Sequence, residues 1–179
     1  MSKLRVAGGE ARGRRLKTPK GIRPTQGIVK AAMFNLVGPS IEGEHVLDLF
    51  AGSGAIGIEA LSRGAAGVTF VDREPRGLAI LRQNLGVLDL KERAQVVRGD
   101  VVRWLEGSPD QLMQAGFVFM DPPYEDPILD RALKAIDHGS SKATVVVEHS
   151  RRHELPALTR MRVDRQRKYG DTMVSVLRA

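Results

Sequence analysis

The tetrapeptide Asp121-Pro122-Pro123-Tyr124 contains the residue types in this sequence that best suit a chemical reaction. An amino group on a purine or cytosine ring is a poor nucleophile, because its lone pair is delocalised into the ring. The Asp121 carboxylate and the Pro122 carbonyl can accept both amino hydrogens, which favours a pyramidal nitrogen able to attack a methyl group. The prolines fix this backbone, and Tyr124 offers a flat face for a flipped-out base. We therefore predict methylation of a base amino group, with Asp121, Pro122 and Tyr124 as catalytic residues.

A glycine-rich segment, 48–57, predicts where the methyl donor binds. Gly52, Gly54 and Gly57 match the pattern G-x-G-x-x-G, which also occurs in dinucleotide sites. Asp48 just before the loop would repel a pyrophosphate, but it suits the cationic amino-acid end of S-adenosylmethionine. The predicted cofactor residues in this segment are Asp48, Phe50, Ala51, Gly52, Ser53 and Gly54.

Two more carboxylates follow predicted strands. Asp72 comes twenty residues after Gly52, where it can accept from both ribose hydroxyls, and Asp100 could accept from the adenine amino group. The carboxyl ends of parallel strands line one crevice, where such folds bind ligands. Arg73 and Val101, which directly follow these two aspartates, complete the predicted cofactor site.

The surrounding pattern predicts the α/β scaffold that positions these residues. Short apolar runs alternate with amphipathic stretches, which is typical of a parallel sheet covered on both faces. The predicted strands are 45–50, 67–71, 94–98, 117–120 and 143–148, and the predicted helices are 55–62, 75–86, 101–105 and 127–137. An earlier helix opens near Thr25, with Ile28, Val29 and Met33 among its apolar positions. Two final β-rich runs, 160–168 and 172–177, predict an antiparallel hairpin.

The charge distribution indicates a nucleic-acid partner. Residues 1–30 carry a net charge of +8, residues 31–150 carry −6, and residues 151–179 carry +5. Clustered cations bind phosphates by releasing counterions. We predict that residues 1–24 form a basic β-hairpin extension, turning at Gly8-Gly9, and that residues 25–179 form the catalytic domain. The predicted RNA-binding residues are Arg12, Arg14, Arg15, Lys17, Arg23 and Tyr124.

Composition excludes several other functions. The chain has no cysteine, so methylation of pyrimidine C5 through a thiol nucleophile is excluded, as are disulfides. The sequence has no secretory signal or membrane-length apolar run, and we expect a cytoplasmic monomer. The four histidines have no ligand-like spacing, so we expect no metal site and interpret them as surface or strand-end residues.

The sequence resembles the bacterial methyltransferases that modify guanine N2 in 16S ribosomal RNA, and the similarity runs nearly end to end. The residues that carry it are Arg23-Pro24-Thr25, Val29-Lys30, Met33-Phe34-Asn35, the segments 48–54 and 57–65, Asp121-Pro122-Pro123-Tyr124, Val147-Glu148 and Tyr169-Gly170-Asp171-Thr172. Asp72 departs mildly from the family, which commonly has Glu there. Ala31 stands where relatives often carry an acidic residue.

This resemblance implies a Rossmann-like, seven-stranded class I fold that uses S-adenosylmethionine. It also implies that the basic extension helps hold RNA and that the substrate is an assembling small ribosomal subunit. The residue chemistry alone leaves guanine N2 and adenine N6 unresolved. A dinucleotide-dependent oxidoreductase and a non-catalytic RNA-binding protein are two further alternatives.

Overall fold

The computed structural model describes residues 4–19, 27–123, 127–139 and 141–179. These ranges contain one seven-stranded sheet with the strand order β3-β2-β1-β4-β5-β7-β6. The strands are β1 His45–Leu49, β2 Gly67–Asp72, β3 Ala94–Arg98, β4 Phe117–Met120, β5 Thr144–Ser150, β6 Arg162–Tyr169 and β7 Thr172–Arg178. The first five are parallel, and β7 pairs antiparallel with both β5 and β6. The predicted fold, including the C-terminal hairpin, is confirmed.

Helices cover both faces of the sheet. They are α1 Gly27–Val37, α2 Ala55–Ser62, α3 Pro75–Val87, α4 Val101–Gly107, α5 Pro109–Gln114 and α6 Ile128–His138. The first three pack their apolar side chains into one core cluster, and the last three into another. We call the face of the sheet that carries the first cluster the front face, and the face that carries the second cluster the back face. The central strands β1 and β4 are buried at nearly every position because both of their faces are covered.

The strand order reverses between β1 and β4, and this reversal positions the site. From β1 the chain proceeds outward to β2 and β3, and it then returns to place β4 on the other side of β1. The loops after β1 and β4 therefore diverge, which leaves a crevice at their carboxyl ends. Asp48, residues 50–53 and Asp121-Pro122-Pro123 all lie at this crevice.

Residues 4–16 form a short hairpin-like segment on the front face. Arg5 and Arg15 form an antiparallel bridge, and Val6 and Arg14 share a backbone hydrogen bond of 3.0 Å. The apolar side chains of this segment are buried in the front core cluster, namely those of Leu4, Val6, Ala11 and Leu16. The segment is therefore packed against the catalytic scaffold, while its arginines remain exposed.

Several local predictions were wrong for identifiable reasons. Helix α5 was missed because its six residues carry little periodic signal. Strand β5 extends to Ser150, so His149 is a buried residue that bonds to the Ser175 hydroxyl at 2.8 Å. Burial lowers the pKa of His149. Ile28, assigned to the core side of its helix, is 69% exposed. Within the described ranges, no helix is both long and apolar enough to cross a membrane.

Candidate active site

A cavity of about 1020 Å³ opens at the carboxyl ends of the parallel strands. Pockets for single small ligands typically occupy ~300–1,000 Å³, so this one can accept a cofactor together with a base. The predicted residues that line it are Asp48, Phe50, Ala51, Gly52, Ser53, Asp72, Arg73, Asp100, Val101, Asp121 and Pro122. The structure thus brings together the cofactor and catalytic predictions that fall on described residues, apart from Gly54.

The glycine loop makes a sharp turn at the end of β1. The Phe50 and Ala51 N–H groups both donate to the Val71 carbonyl, at 2.9 and 3.2 Å. Phe50 has a φ of 65°, a conformation that is uncommon for non-glycine residues and clusters at functional sites. Gly54 is also left-handed, with a φ of 83°, and a Cβ there would overlap the Leu81 side chain. Gly54 therefore shapes the turn from beneath the cavity.

Asp48 holds the start of helix α2. Its Oδ2 accepts the Gly57 N–H at 2.8 Å, and the side chain is almost fully buried. Burial raises the Asp48 pKa to about 7, against the lowering effect of the Gly57 hydrogen bond and with further raising by Asp121 and Asp72. A nearby cationic ligand would favour the ionised form of this carboxylate.

Asp72 joins the glycine loop to the turn after β2. Its Oδ2 accepts the Gly52 N–H and its Oδ1 accepts the Glu74 N–H, each at 2.8 Å. Sequence analysis assigned this carboxylate to two ribose hydroxyls. In the structure each of its oxygens already accepts a backbone hydrogen bond, so a ribose would use the remaining lone pairs. Glu74, which the sequence analysis missed, lines the same cavity.

Asp100 lies at the third strand end and begins helix α4. Its Oδ1 accepts the Arg103 N–H at 3.0 Å, an ordinary N-cap. The side chain is part-exposed and lines the cavity beside the buried Val101. Its capping role leaves the second carboxylate oxygen available for the predicted contact with adenine.

The described part of the tetrapeptide lines the same cavity as the glycine loop. Asp121 and Pro122 follow β4 directly, and β4 pairs in register with both β1 and β5. Tyr124 and Arg23, predicted to contact base and RNA, lie outside the described residues. Of the histidine, cysteine, aspartate and glutamate residues within those ranges, no group of three or more is arranged to hold a metal.

The structure adds cavity residues that the sequence analysis did not select. Ile28 and Val29 of α1 line the cavity, as do Thr18 and Pro19 after the N-terminal segment. Glu148 and residues 169–172 also line the cavity. Glu148 was noted only as part of a resemblance, because no local pattern shows that its strand lies next to β4.

The buried carboxylate of Glu59 in α2 pairs with Lys30 of α1 and holds the N-terminal segment. Glu59 accepts from Lys30 Nζ and from the Ala7 and Gly8 N–H groups, all at 2.8 Å. Arg63 Nε donates to the same carboxylate, and Lys30 Nζ also donates to the Arg5 carbonyl. Burial acts to raise the Glu59 pKa, but these donors outweigh it and lower that pKa. The carboxylate is thus an ionised anchor for the basic segment.

The site suits S-adenosylmethionine better than a dinucleotide. A pyrophosphate requires free N–H groups at the loop and at the start of the helix. Here Asp72 takes the Gly52 N–H, and Asp48 takes the Gly57 N–H. The two carboxylates repel an anion and attract a cation, which matches the positively charged sulfonium cofactor. These contacts argue against the oxidoreductase alternative.

Solved methyltransferase structures have the same fold. The Escherichia coli methyltransferase yhhF matches with a TM-score of 0.85 and 31% identity, over 98% of this chain and 97% of that one. The seven-stranded sheet, the glycine loop with its carboxylates and the Asp-Pro-Pro segment define an S-adenosylmethionine-dependent methyltransferase.

Sequence comparison shows the family. The profile of the family described as "Conserved hypothetical protein 95" matches residues 4–178. YlbH of Bacillus subtilis (strain 168), an rRNA methyltransferase by name, is 40% identical over 97% of each chain. Ribosomal RNA small subunit methyltransferase D of Escherichia coli (strain K12) is 36% identical, over 87% of this chain and 79% of that protein. The chain belongs to this family of methyltransferases, as the sequence resemblance implied.

The raised pKa of Asp48 predicts that cofactor affinity depends on pH. A bound cation stabilises the carboxylate and lowers its pKa, so binding below about pH 7 must release a proton. Affinity for S-adenosylhomocysteine should therefore rise as pH increases from about 6 to 8. Calorimetry across this range measures it.

Asp48→Asn is the matched control, because the ligand's own amino group also titrates near this range. The pH dependence of wild type minus that of Asp48→Asn isolates the Asp48 contribution. Identical pH profiles for the two proteins would contradict the assignment.

Proposed function

We propose that this protein transfers a methyl group from S-adenosylmethionine to the exocyclic N2 of a guanine in 16S rRNA. The observation that carries the proposal is the single cavity that Asp121 and Pro122 share with the carboxylate-bonded glycine loop. The name of the 36% identical Escherichia coli relative supports the small-subunit target. We propose further that the protein acts as a monomer on an assembling subunit, which would place it in the cytoplasm.

The bound cofactor would supply an electrophilic methyl group on a positively charged sulfur. Asp121 and the Pro122 carbonyl accept the two N2 hydrogens of the flipped guanine and direct the nitrogen lone pair towards that methyl group. With the donor bound, the N2 nitrogen would form a bond to the methyl carbon as the bond from that carbon to sulfur breaks. One N2 hydrogen would then leave as a proton to solvent by way of the Asp121 carboxylate. Orientation and fixed electrostatics account for the rate, without a covalent enzyme intermediate. Tyr124 would stack on the base.

Two basic surfaces flank the cavity and would contact RNA phosphates. Arg12, Arg14, Arg15 and Lys17 are exposed on the N-terminal segment. Asn84 accepts the Lys17 N–H and donates to the Ser53 carbonyl, so this segment also contacts the glycine loop. On the other side, the exposed edge strand β6 carries Arg162, Arg165, Arg167 and Lys168 and ends at Tyr169, which lines the cavity.

An adenine-N6 methyltransferase is not favoured. The residue chemistry of Asp121 and Pro122 would serve either amine. Both named relatives are ribosomal RNA methyltransferases by name, and neither name refers to adenine.

The test combines mass spectrometry with purified small-subunit particles. Particles from a strain lacking the gene should gain N2-methylguanosine in 16S rRNA when treated with the enzyme and S-adenosylmethionine. Digest mapping then locates the target nucleotide. Appearance of N6-methyladenosine instead, or methylation of large-subunit rRNA alone, would reject the proposed function.

Changing Arg14, Arg15 and Lys17 together to alanine should weaken binding to ribosomal particles. If all three contact phosphates, the slope of log K against log salt should fall by about 2–3 units, because each contact contributes ~0.7–0.9. Filter binding at several salt concentrations measures the slope.

A control with the same charge change replaces Arg103, Arg131 and Lys134 by alanine. These residues lie on α4 and α6 at the back face, away from the N-terminal segment. The control should keep the wild-type slope. Equal slopes in both variants would mean that the N-terminal cations do not contact RNA.

A further inference from the structure

Glu148 lies beside Asp121 at the adjacent strand end. Met120 of β4 pairs with Val147 of β5. Asp121 directly follows Met120, and Glu148 directly follows Val147. Parallel strands are about 4.8 Å apart, so the two backbones approach closely here. Glu148 is only 5% exposed, and what remains open faces the cavity that it lines together with Asp121 and Pro122.

The two side chains also share one face of the sheet. Phe119 and Val146, each two residues earlier, both belong to the front core cluster. Because side chains alternate along a strand, Asp121 and Glu148 continue that same face. Glu148 also pairs with Val174 of β7, which fixes its backbone from the other side.

Glu148 lies on the side of Asp121 away from the cofactor carboxylates. Asp48 and Asp72 lie near the carboxyl ends of β1 and β2 and Asp100 follows β3, whereas Asp121 follows β4 and Glu148 lies in β5. A base held by Asp121 therefore has the glycine loop on one side and Glu148 on the other.

The chemistry of the Watson–Crick edge gives this position a function. A guanine that presents N2 to Asp121 carries an N1–H donor directly beside that amine. An adenine that presents N6 carries at the same place an unprotonated N1, which is an acceptor. A carboxylate accepts a hydrogen bond from the first and repels the lone pair of the second.

We propose that Glu148 accepts the guanine N1–H and thereby selects guanine over adenine. This inference rests on the proposed guanine-N2 methylation and deepens it. Glu148 is a specificity-determining residue, whereas Asp121 aligns the reacting amine. Discrimination of this kind is strong because the wrong base leaves a buried carboxylate without its donor.

The experiment uses small subunits reconstituted from two 16S transcripts, one with guanine and one with adenine at the mapped target. For Glu148→Gln we expect kcat/KM on the guanine particle to fall on the order of 10²-fold. The amide can donate to adenine N1, so the guanine-to-adenine ratio of kcat/KM should fall. An equal loss on both particles would leave that ratio unchanged.

Two further variants separate specificity from structure. Glu148→Asp keeps the carboxylate and should retain the wild-type preference at a lower rate. Glu74→Gln makes the same carboxylate-to-amide change on the cofactor side of the cavity and should leave the preference unchanged. Calorimetry with S-adenosylhomocysteine confirms that each variant is folded.

An unchanged guanine-to-adenine ratio in Glu148→Gln would overturn the inference, as would guanine activity within threefold of wild type. Failure of the proposed function is a separate result, because it appears with the wild-type enzyme as the absence of N2-methylguanosine.

Discussion

Asp121→Ala is expected to lower kcat for methyl transfer by about 10²–10³-fold, the usual effect of removing one preorganised polar group. The variant loses the acceptor that aligns the target amine, while the glycine loop and its carboxylates remain intact. Affinity for S-adenosylhomocysteine should therefore stay within about threefold of wild type. Single-turnover transfer of labelled methyl to small-subunit particles measures the rate, and calorimetry measures the affinity.

Asp110→Ala provides the control for this experiment. Asp110 is an exposed residue in the first turn of α5, and its removal makes the same change of charge away from the cavity. It should turn over at the wild-type rate. Turnover by Asp121→Ala within tenfold of wild type would refute the proposed role of Asp121 in the mechanism.

Glu59→Ala is expected to destabilise the fold by about 3–5 kcal/mol, the range for breaking one partner of a buried ion pair. The change leaves the Lys30 ammonium, which is 1% exposed, with the Arg5 carbonyl as its remaining described acceptor. The Ala7 and Gly8 N–H groups lose their acceptor as well. Urea unfolding followed by circular dichroism gives the free energy of unfolding.

The double variant Lys30→Met with Glu59→Gln separates the buried charge from the lost contacts. Removing both charges should restore part of the stability, because no uncompensated ion remains buried. Glu106→Ala on the exposed side of α4 is the surface control and should change stability by less than about 0.5 kcal/mol. A loss below 1 kcal/mol in Glu59→Ala would show that Lys30 finds another partner or water.

A weaker N-terminal anchor should also affect RNA binding. Glu59 holds the backbone at residues 7 and 8, within the segment that carries Arg12, Arg14 and Arg15. The ion pair thereby links the proposed RNA surface to α2, the helix that follows the glycine loop. The pair lies in the core, so its effect on RNA binding comes through positioning and not through direct contact.

Local sequence determined the strand runs, the glycine loop and the Asp-Pro-Pro segment. Strand and helix periodicity reflects burial on one face or two, and it is visible within ten residues. A glycine loop between a strand and a helix predicts a ligand crevice wherever the fold places it. Most of the cavity residues at the ends of β1 to β4 could therefore be predicted from the sequence, apart from Glu74, and the resemblance supplied the base and the substrate.

Tertiary structure decided which of these residues act together. The pairing of β4 with β5 puts Glu148 beside Asp121, although 26 residues separate them and no motif connects them. Lys30 and Glu59 carry ordinary surface-type side chains in the sequence, yet the fold buries both where α1, α2 and the N-terminal segment meet. Asp72 and Asp48 were predicted to contact the ligand, and the folded loop shows that they also bind backbone N–H groups. Such relations depend on long-range packing, whose energy is shared among distant segments and leaves no local pattern.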